Sequence, residues 1–272
     1  MTNDIPNLED FLAQDELRHI TPLKMLGLYR AHFRVVPIAA GNELAYVMLS
    51  PRAASQWDTA NYPSTSLVIY PALAASSSAA MIDVCARAIL EQAGAESFVV
   101  KSCDLPLISA LRTLCPTLTY QRALCTFTPD ARVLPRAAMT HTLIQVTKHI
   151  PELARTLLTA HSVYGDSELE TMFADGSARC LLSFSADASE PAAVVLMFPN
   201  THTLHEIGSL YVSPDARRAG HAGALVRAAL ANSASRGLAV RYVVDETNRP
   251  SIELAQRCGL REEMRLEHWL AA

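Results

Sequence analysis

His205–Val226 reads HEIGSLYVSPDARRAGHAGALV, and the reading of the whole chain turns on it. Glu206 to Val212 has the apolar and aromatic content of a strand. Ser213-Pro214-Asp215 follows as a turn, because proline fixes φ and aspartate favours a reversal. Arg217-Arg218-Ala219-Gly220-His221-Ala222 forms a loop of small and cationic residues. Ala222, Leu225, Val226, Ala229 and Leu230 then fall on one face of a helix. A small-residue loop that opens a helix presents backbone N–H groups and the positive end of the helix dipole, a setting for phosphate or pyrophosphate. The two arginines and His221 add positive charge there.

This segment resembles the acyl-CoA-binding motif of the GNAT superfamily of N-acetyltransferases, Gln/Arg-x-x-Gly-x-Gly/Ala. The match is Arg217, Gly220 and Ala222, with Val212-x-Pro214 ahead of it. Its residues are common ones, so its weight comes from lying between a strand and an amphipathic helix. Asn248 to Leu260, NRPSIELAQRCGL, resembles the family's next motif, Asn-x-x-Ala-x-x-Leu-Tyr-x-x-x-Gly-Phe, at Asn248, Leu254 and Gly259. Leu260 replaces the phenylalanine, and Ala255 stands where the family has the tyrosine that protonates the departing thiolate. The resemblance implies an acetyl-CoA-dependent N-acetyltransferase that passes an acyl group to a primary amine by direct attack in a ternary complex. It implies that the backbone of Leu210, Tyr211 and Val212 pairs with the pantetheine arm. It also implies that the N–H groups of Arg217, Arg218, Ala219, Gly220, His221, Ala222 and Gly223 hold the pyrophosphate. Asn248 is left with two roles, binding the cofactor or capping the helix behind it.

Acyl transfer from a thioester needs a base for the amine and stabilisation of an oxyanion. Glu206 is the candidate base, six residues before Val212; an exposed strand-end glutamate is the bland alternative. His205 is its local rival and reads by default as a surface histidine. Strand alternation predicts that Glu206, Gly208, Leu210 and Val212 share one face, with His205, Ile207, Ser209 and Tyr211 on the other. Tyr242, Tyr211 or water are the possible replacements for the missing general acid.

The chain also resembles itself. An offset of 143 residues places Ser66-Leu67-Val68-Ile69-Tyr70-Pro71 on Ser209 to Pro214, Gly94 on Gly237 and Val100 on Val243. Residues 66–102 thus predict strand, turn, helix and strand, with Ile82, Cys85, Ala86, Ile89 and Ala93 on the helix's inner face. The loop chemistry is not repeated: Arg217 corresponds to Ala74, Gly220 to Ser77 and Ala222 to Ala79. The expected fold is therefore α/β (α+β), two tandem GNAT-like domains, each a mixed and mostly antiparallel sheet flanked by helices. The expected division is a degenerate domain at 1–132 and an acetyl-CoA-binding domain at 138–272, separated by a Pro129–Pro135 linker. Two short helices at 148–174 and strands at 178–186, 192–198, 205–212, 240–244 and 260–270 complete the second.

With 272 residues, half of them hydrophobic, the chain can build two cores, and its net charge of −4 offers no basic footprint for nucleic acid. The N-terminus lacks a secretory pattern and no apolar run spans a bilayer, so a soluble cytoplasmic protein is expected. Six scattered cysteines without a CxxC pair read as free thiols, Cys258 included. No metal is expected, because His202 and His205 point to opposite faces of a strand. The partner expected is a small-molecule or peptide amine. Two further readings compete: a non-catalytic acyl-CoA sensor, and an interaction module using the N-terminal half.

Overall fold

The computed structural model describes residues 8–130, 142–146, 152, 154–155, 158, 166–174, 178–185 and 189–271. Most of the expected linker, and most of the first helix expected after it, lie outside these residues. The chain divides into two compact units, Met1–Ala123 with Met264–Ala272, and Leu124–Glu263.

The first unit runs through α1 (Leu8–Ala13), α2 (Ile20–Tyr29), β1 (Arg34–Ala40), β2 (Glu43–Pro51), α3 (Gln56–Asn61), β3 (Leu67–Ala72), α4 (Ala79–Ala93), β4 (Phe98–Ser102), α5 (Leu105–Leu114) and the start of β5 (Thr119–Pro129). β1–β2 and β2–β3 are antiparallel, whereas β3 and β4 are parallel. Parallel neighbours need a crossover, and α4 supplies it. Met81, Cys85, Ala86, Ile89 and Ala93 of α4 pack on Val47, Ile69 and Val100. On the other face Phe11, Leu12 and Leu26 cover Tyr46, Met48, Tyr70 and Val99. Burial on both faces is why β2 is a near-continuous apolar run.

The second unit takes the rest of β5, then β6 (Thr142–Val146), α6 (Asp166–Ala174), β7 (Arg179–Phe184), β8 (Pro191–Pro199), β9 (Leu204–Val212), α7 (His221–Ser235), β10 (Ala239–Asp245), α8 (Arg249–Arg257) and the start of β11 (Leu260–Ala271). β6 through β9 pair antiparallel in chain order, and β9 and β10 are parallel across the α7 crossover. Leu225, Val226, Ala229 and Leu230 of α7 lie on one face with Leu254 and Ala255 of α8. Ala154, Leu158, Leu169 and Phe173 cover the other, against Leu182, Val194, Leu196 and Phe198. Each unit is thus a mixed, mostly antiparallel sheet flanked by helices, with one parallel strand–helix–strand step. Among the described residues no helix is long and apolar enough to cross a membrane.

Strand supply departs from simple chain order. Leu124–Phe127 of β5 pair with Tyr242–Asp245 of β10. Glu267–Ala271 of β11 pair with Phe98–Ser102 of β4. Each unit is completed by a strand from the other half of the sequence. In the first unit β11 also brings His268, fully buried, whose Nδ1 bonds the Tyr62 hydroxyl. Beside it Lys101 and Asp58 form a buried ion pair, the Tyr70 hydroxyl donates to Asp58 at 3.2 Å, and the Lys101 ammonium stands 4.7 Å from the Trp57 ring centre. Burial, then the Lys101 and Arg122 charges, push the His268 imidazole well below its ordinary range, so it stays neutral. Breaking such an ion pair from one side costs about 3–5 kcal/mol, because the remaining charge is stranded in the core.

Truncation after Glu263 removes the β4 partner strand and His268 together. Amides of residues 98–102 should then lose protection in hydrogen exchange; unchanged protection would show that the terminal strand does not hold the first unit together.

Candidate active site

The β9–β10 ladder is short. It runs from Leu204↔Ala239 to Ile207↔Tyr242 and stops. From Tyr242 onward β10 is paired with β5 on its other side. Gly208–Val212 of β9 are not paired with β10, and burial falls from nearly complete at Leu204–Ile207 to partial over these residues. On the opposite edge β9 carries an extra residue. Leu196 faces Gly208 but Val194 faces Tyr211, so two steps on β8 match three on β9. Ser209 sits at this bulge with φ +50°, a left-handed conformation uncommon outside glycine.

The bulge corrects the expected face assignment. Strict alternation put Leu210 and Val212 with Glu206. Instead Leu210 and Val212 pack beside Ile207 on the α7 side, and Tyr211 packs on the opposite face against the Phe173–Phe198 core. One inserted residue shifts every later side chain to the other face.

Beyond β9, Pro214–Ala216 makes one 3-10 turn, and α7 begins after Arg218 at φ +66° and Gly220 at φ +93°. Residues alternating in backbone hand turn successive N–H groups towards one concavity, which suits an anion. The N-cap of α7 is Gly220, which offers no side-chain cap, and the first-turn N–H groups of a helix have no intrahelical acceptor. Arg217 and Arg218 are exposed, and Arg217 Nε donates to the Val212 carbonyl at 3.3 Å. Among the described residues neither arginine pairs with a carboxylate. Gly223 has a packing reason: a Cβ there would come within 3.2 Å of the Arg227 guanidinium, which lies against this first turn. The sequence reading did not single out Arg227.

His221 departs from expectation. Its ring is buried, with Nδ1 2.9 Å from Ser183 Oγ and Nε2 3.4 Å from Ser185 Oγ. Its imidazole braces α7 against β7 and does not join the arginines in the loop.

The equivalent helix of the first unit is filled from within. Ser78 Oγ accepts from the Met81 N–H at 3.2 Å, and the Ser78 N–H donates to Glu43 Oε2 at 2.9 Å. These Ser78 hydrogen bonds hold the Glu43 carboxyl below its ordinary range. A cavity of about 550 Å³ beside it is lined by Glu43, Asp10, Ser76 and Ser77 among others. Two carboxylates at its wall repel phosphate.

Glu206 is buried rather than exposed at a strand end. Its Oε2 accepts from Arg241 Nε at 3.0 Å, from Arg241 Nη2, and from Asn200 Nδ2 at 2.9 Å. Its Oε1 lies 3.7 Å from where a Cβ on Gly208 would sit. His205, expected at the surface, is also buried, and its Nδ1 has no hydrogen-bond partner. Burial, then Arg236 and Arg179, lower its pKa to about 4, so it is a poor proton acceptor at neutral pH. Asn248 caps α8, accepting from the Ser251 N–H at 3.3 Å. Ala255 is fully buried in the core under α7 and α8. Tyr242, also buried, hydrogen-bonds Ser251, and burial raises its phenol above the ordinary value.

Residues 149–260 match the model of the Acetyltransferase (GNAT) family. No curated protein matches the chain. Among solved structures, an acetyltransferase from the GNAT family from Colwellia psychrerythraea superposes with a TM-score of 0.62 at 9% identity, covering 97% of each chain. A GCN5-related N-acetyltransferase from Kribbella flavida gives 0.59 at 11% identity, over 92% of this chain and 94% of that one. A tandem GNAT protein from the clavulanic acid biosynthesis pathway gives 0.56 at 12% identity, over 97% and 95%. At such identities these likenesses speak to fold alone.

Gly220 holds a backbone conformation that costs an L side chain about 1–2 kcal/mol. Gly220→Glu would add a carboxylate at the uncapped helix start. Calorimetric titration should show no CoA binding to this variant; retained affinity would remove the loop from the cofactor site.

Proposed function

We propose that this chain, whose residues 149–260 match the GNAT acetyltransferase family, is an acetyl-CoA-dependent N-acetyltransferase acting on a primary amine of a small molecule or peptide. One observation carries the reading. The β9–β10 ladder ends at Ile207, and Gly208–Val212 run on from there directly into a start of α7 whose N-cap is a glycine with no capping side chain. A strand edge offers hydrogen bonds to the amides of a pantetheine arm, and a helix start offers N–H groups to its pyrophosphate. Leu210, Tyr211 and Val212 supply the first through backbone. Arg217, Arg218, Ala219, Gly220, His221, Ala222 and Gly223 supply the second, with the His221 contribution confined to its N–H. Asn248 serves the site by capping α8.

The acyl group moves by direct attack. The amine nitrogen bonds to the thioester carbonyl carbon and gives a proton to Glu206, and the C–S bond breaks. The thiolate takes a proton from water, and Glu206 gives its proton back to solvent. The absence of the usual tyrosine at Ala255 also favours a second reading, an acyl-CoA sensor without turnover.

Release of free CoA thiol across a panel of amines separates the two. Turnover is expected, and tight CoA binding with no turnover on any amine would favour the sensor. Glu206→Gln should lower kcat by roughly 10²–10⁴-fold. An unchanged pH–rate profile would take Glu206 out of the base role.

A further inference from the structure

Arg227 is a cation at the start of α7 that lies outside the loop motif. It stands four residues after Gly223 on that helix, and residues so spaced lie one above the other on one face. Helical side chains lean towards the N-terminus of their helix, so Arg227 reaches back along α7 to the first turn. There Nη1 and Nη2 come within 3.2 and 3.3 Å of where a Cβ on Gly223 would sit, and Cζ within 3.6 Å. The two terminal nitrogens are nearer than the carbon, so the guanidinium presents its forked end to Gly223. Glycine is a poor helix residue, and the group that this one makes room for is the guanidinium. Arg227 is half-buried. Its polar neighbour is the Cys258 thiol, at the C-cap of α8, where the negative end of that helix's dipole favours a cation. Among the described residues no carboxylate pairs with it.

We propose that Arg227 is a phosphate ligand of acyl-CoA, a third guanidinium at the α7 start in addition to Arg217 and Arg218. This rests on the reading of that start as the cofactor's phosphate site. The forked end of a guanidinium matches phosphate oxygens through two parallel N–H···O bonds. At the first turn it stands against the positive end of the α7 dipole, a placement that an anion stabilises. Arg217 and Arg218 are exposed residues of a loop. Arg227 instead is carried by the helix itself and steadied at the end of α8. A donor held in place before its ligand arrives loses less freedom on binding. CoA carries phosphate in two places, the pyrophosphate and the 3′-phosphate, and the chemistry that recognises either is the same.

Calorimetric titration of the full chain with CoA, 3′-dephospho-CoA and pantetheine tests this without requiring turnover. Arg227→Met keeps the apolar stem and removes the charge. It should weaken CoA binding by about 10–10²-fold and leave pantetheine, which has no phosphate, unchanged. Arg227→Lys keeps the charge without the fork and should recover part of the loss. A loss shared by 3′-dephospho-CoA assigns Arg227 to the pyrophosphate, and a loss confined to CoA assigns it to the 3′-phosphate. Where Arg227→Met does not fold, Arg227→Gln keeps a polar end and should show the same selective loss. Unchanged CoA affinity in a folded variant, or pantetheine weakened as much as CoA, would overturn the role of Arg227 alone. A wild-type chain that binds CoA no better than pantetheine would overturn the phosphate-site reading and this proposal with it.

Discussion

The organisation of the second unit depends on where the parallel pairing of β9 and β10 ends. Parallel strands joined by a crossover helix are held side by side by their ladder. Here that ladder ends at Ile207 and Tyr242, while β10 runs on to Asp245 beside β5 on its other edge. With a bulge at Ser209, β9 stays paired with β8 past that point, beyond the end of its pairing with β10. Leu210 and Val212 turn into the core beneath α7, which anchors this segment. Gly220 then starts α7 without a capping side chain of its own. The proposed cofactor edge, the proposed anion site and Glu206 all lie at that one termination.

The two units show what the shared frame does and does not specify. Both have the strand–helix–strand crossover, and both bury an acid–base pair on the face away from the crossover helix: Asp58 with Lys101, and Glu206 with Arg241. In the first unit the pair is enclosed by Trp57, Tyr62, Tyr70 and His268, and the helix start is occupied by Ser78 and Glu43. In the second unit the pair borders Gly208 and the helix start is left open. The scaffold is repeated and the ligand chemistry is not. The exposed arginines of one loop are replaced by acidic walls at the other.

Much of the frame was legible because it rests on local pattern. The stripe at Leu225, Val226, Ala229 and Leu230 has helical spacing whatever it packs against, and the likeness of Ser66–Pro71 to Ser209–Pro214 exposed the repeat. Asn248 showed its capping chemistry in the residue type itself. What stayed hidden depends on distant partners. The Ser209 bulge is a mismatch of counting between β8 and β9, so alternation along β9 alone placed Leu210 and Val212 on the wrong face. Arg241 meets Glu206 across 35 residues. β11 reads as a strand whichever sheet receives it, so pairing of its end with β4 left no local mark. His205 and His221 carry polar side chains that suggested exposure, yet their strand and helix positions bury both.

The central claim is that acyl-CoA binds along Gly208–Val212 and on the start of α7, and does not occupy the start of α4. Hydrogen exchange of the full chain with and without CoA tests it directly. The account predicts that CoA slows exchange at amides 208–212 and 217–223 and leaves amides 76–80 unchanged. Protection appearing at 76–80, or absent from 208–223 under saturating CoA, would contradict it.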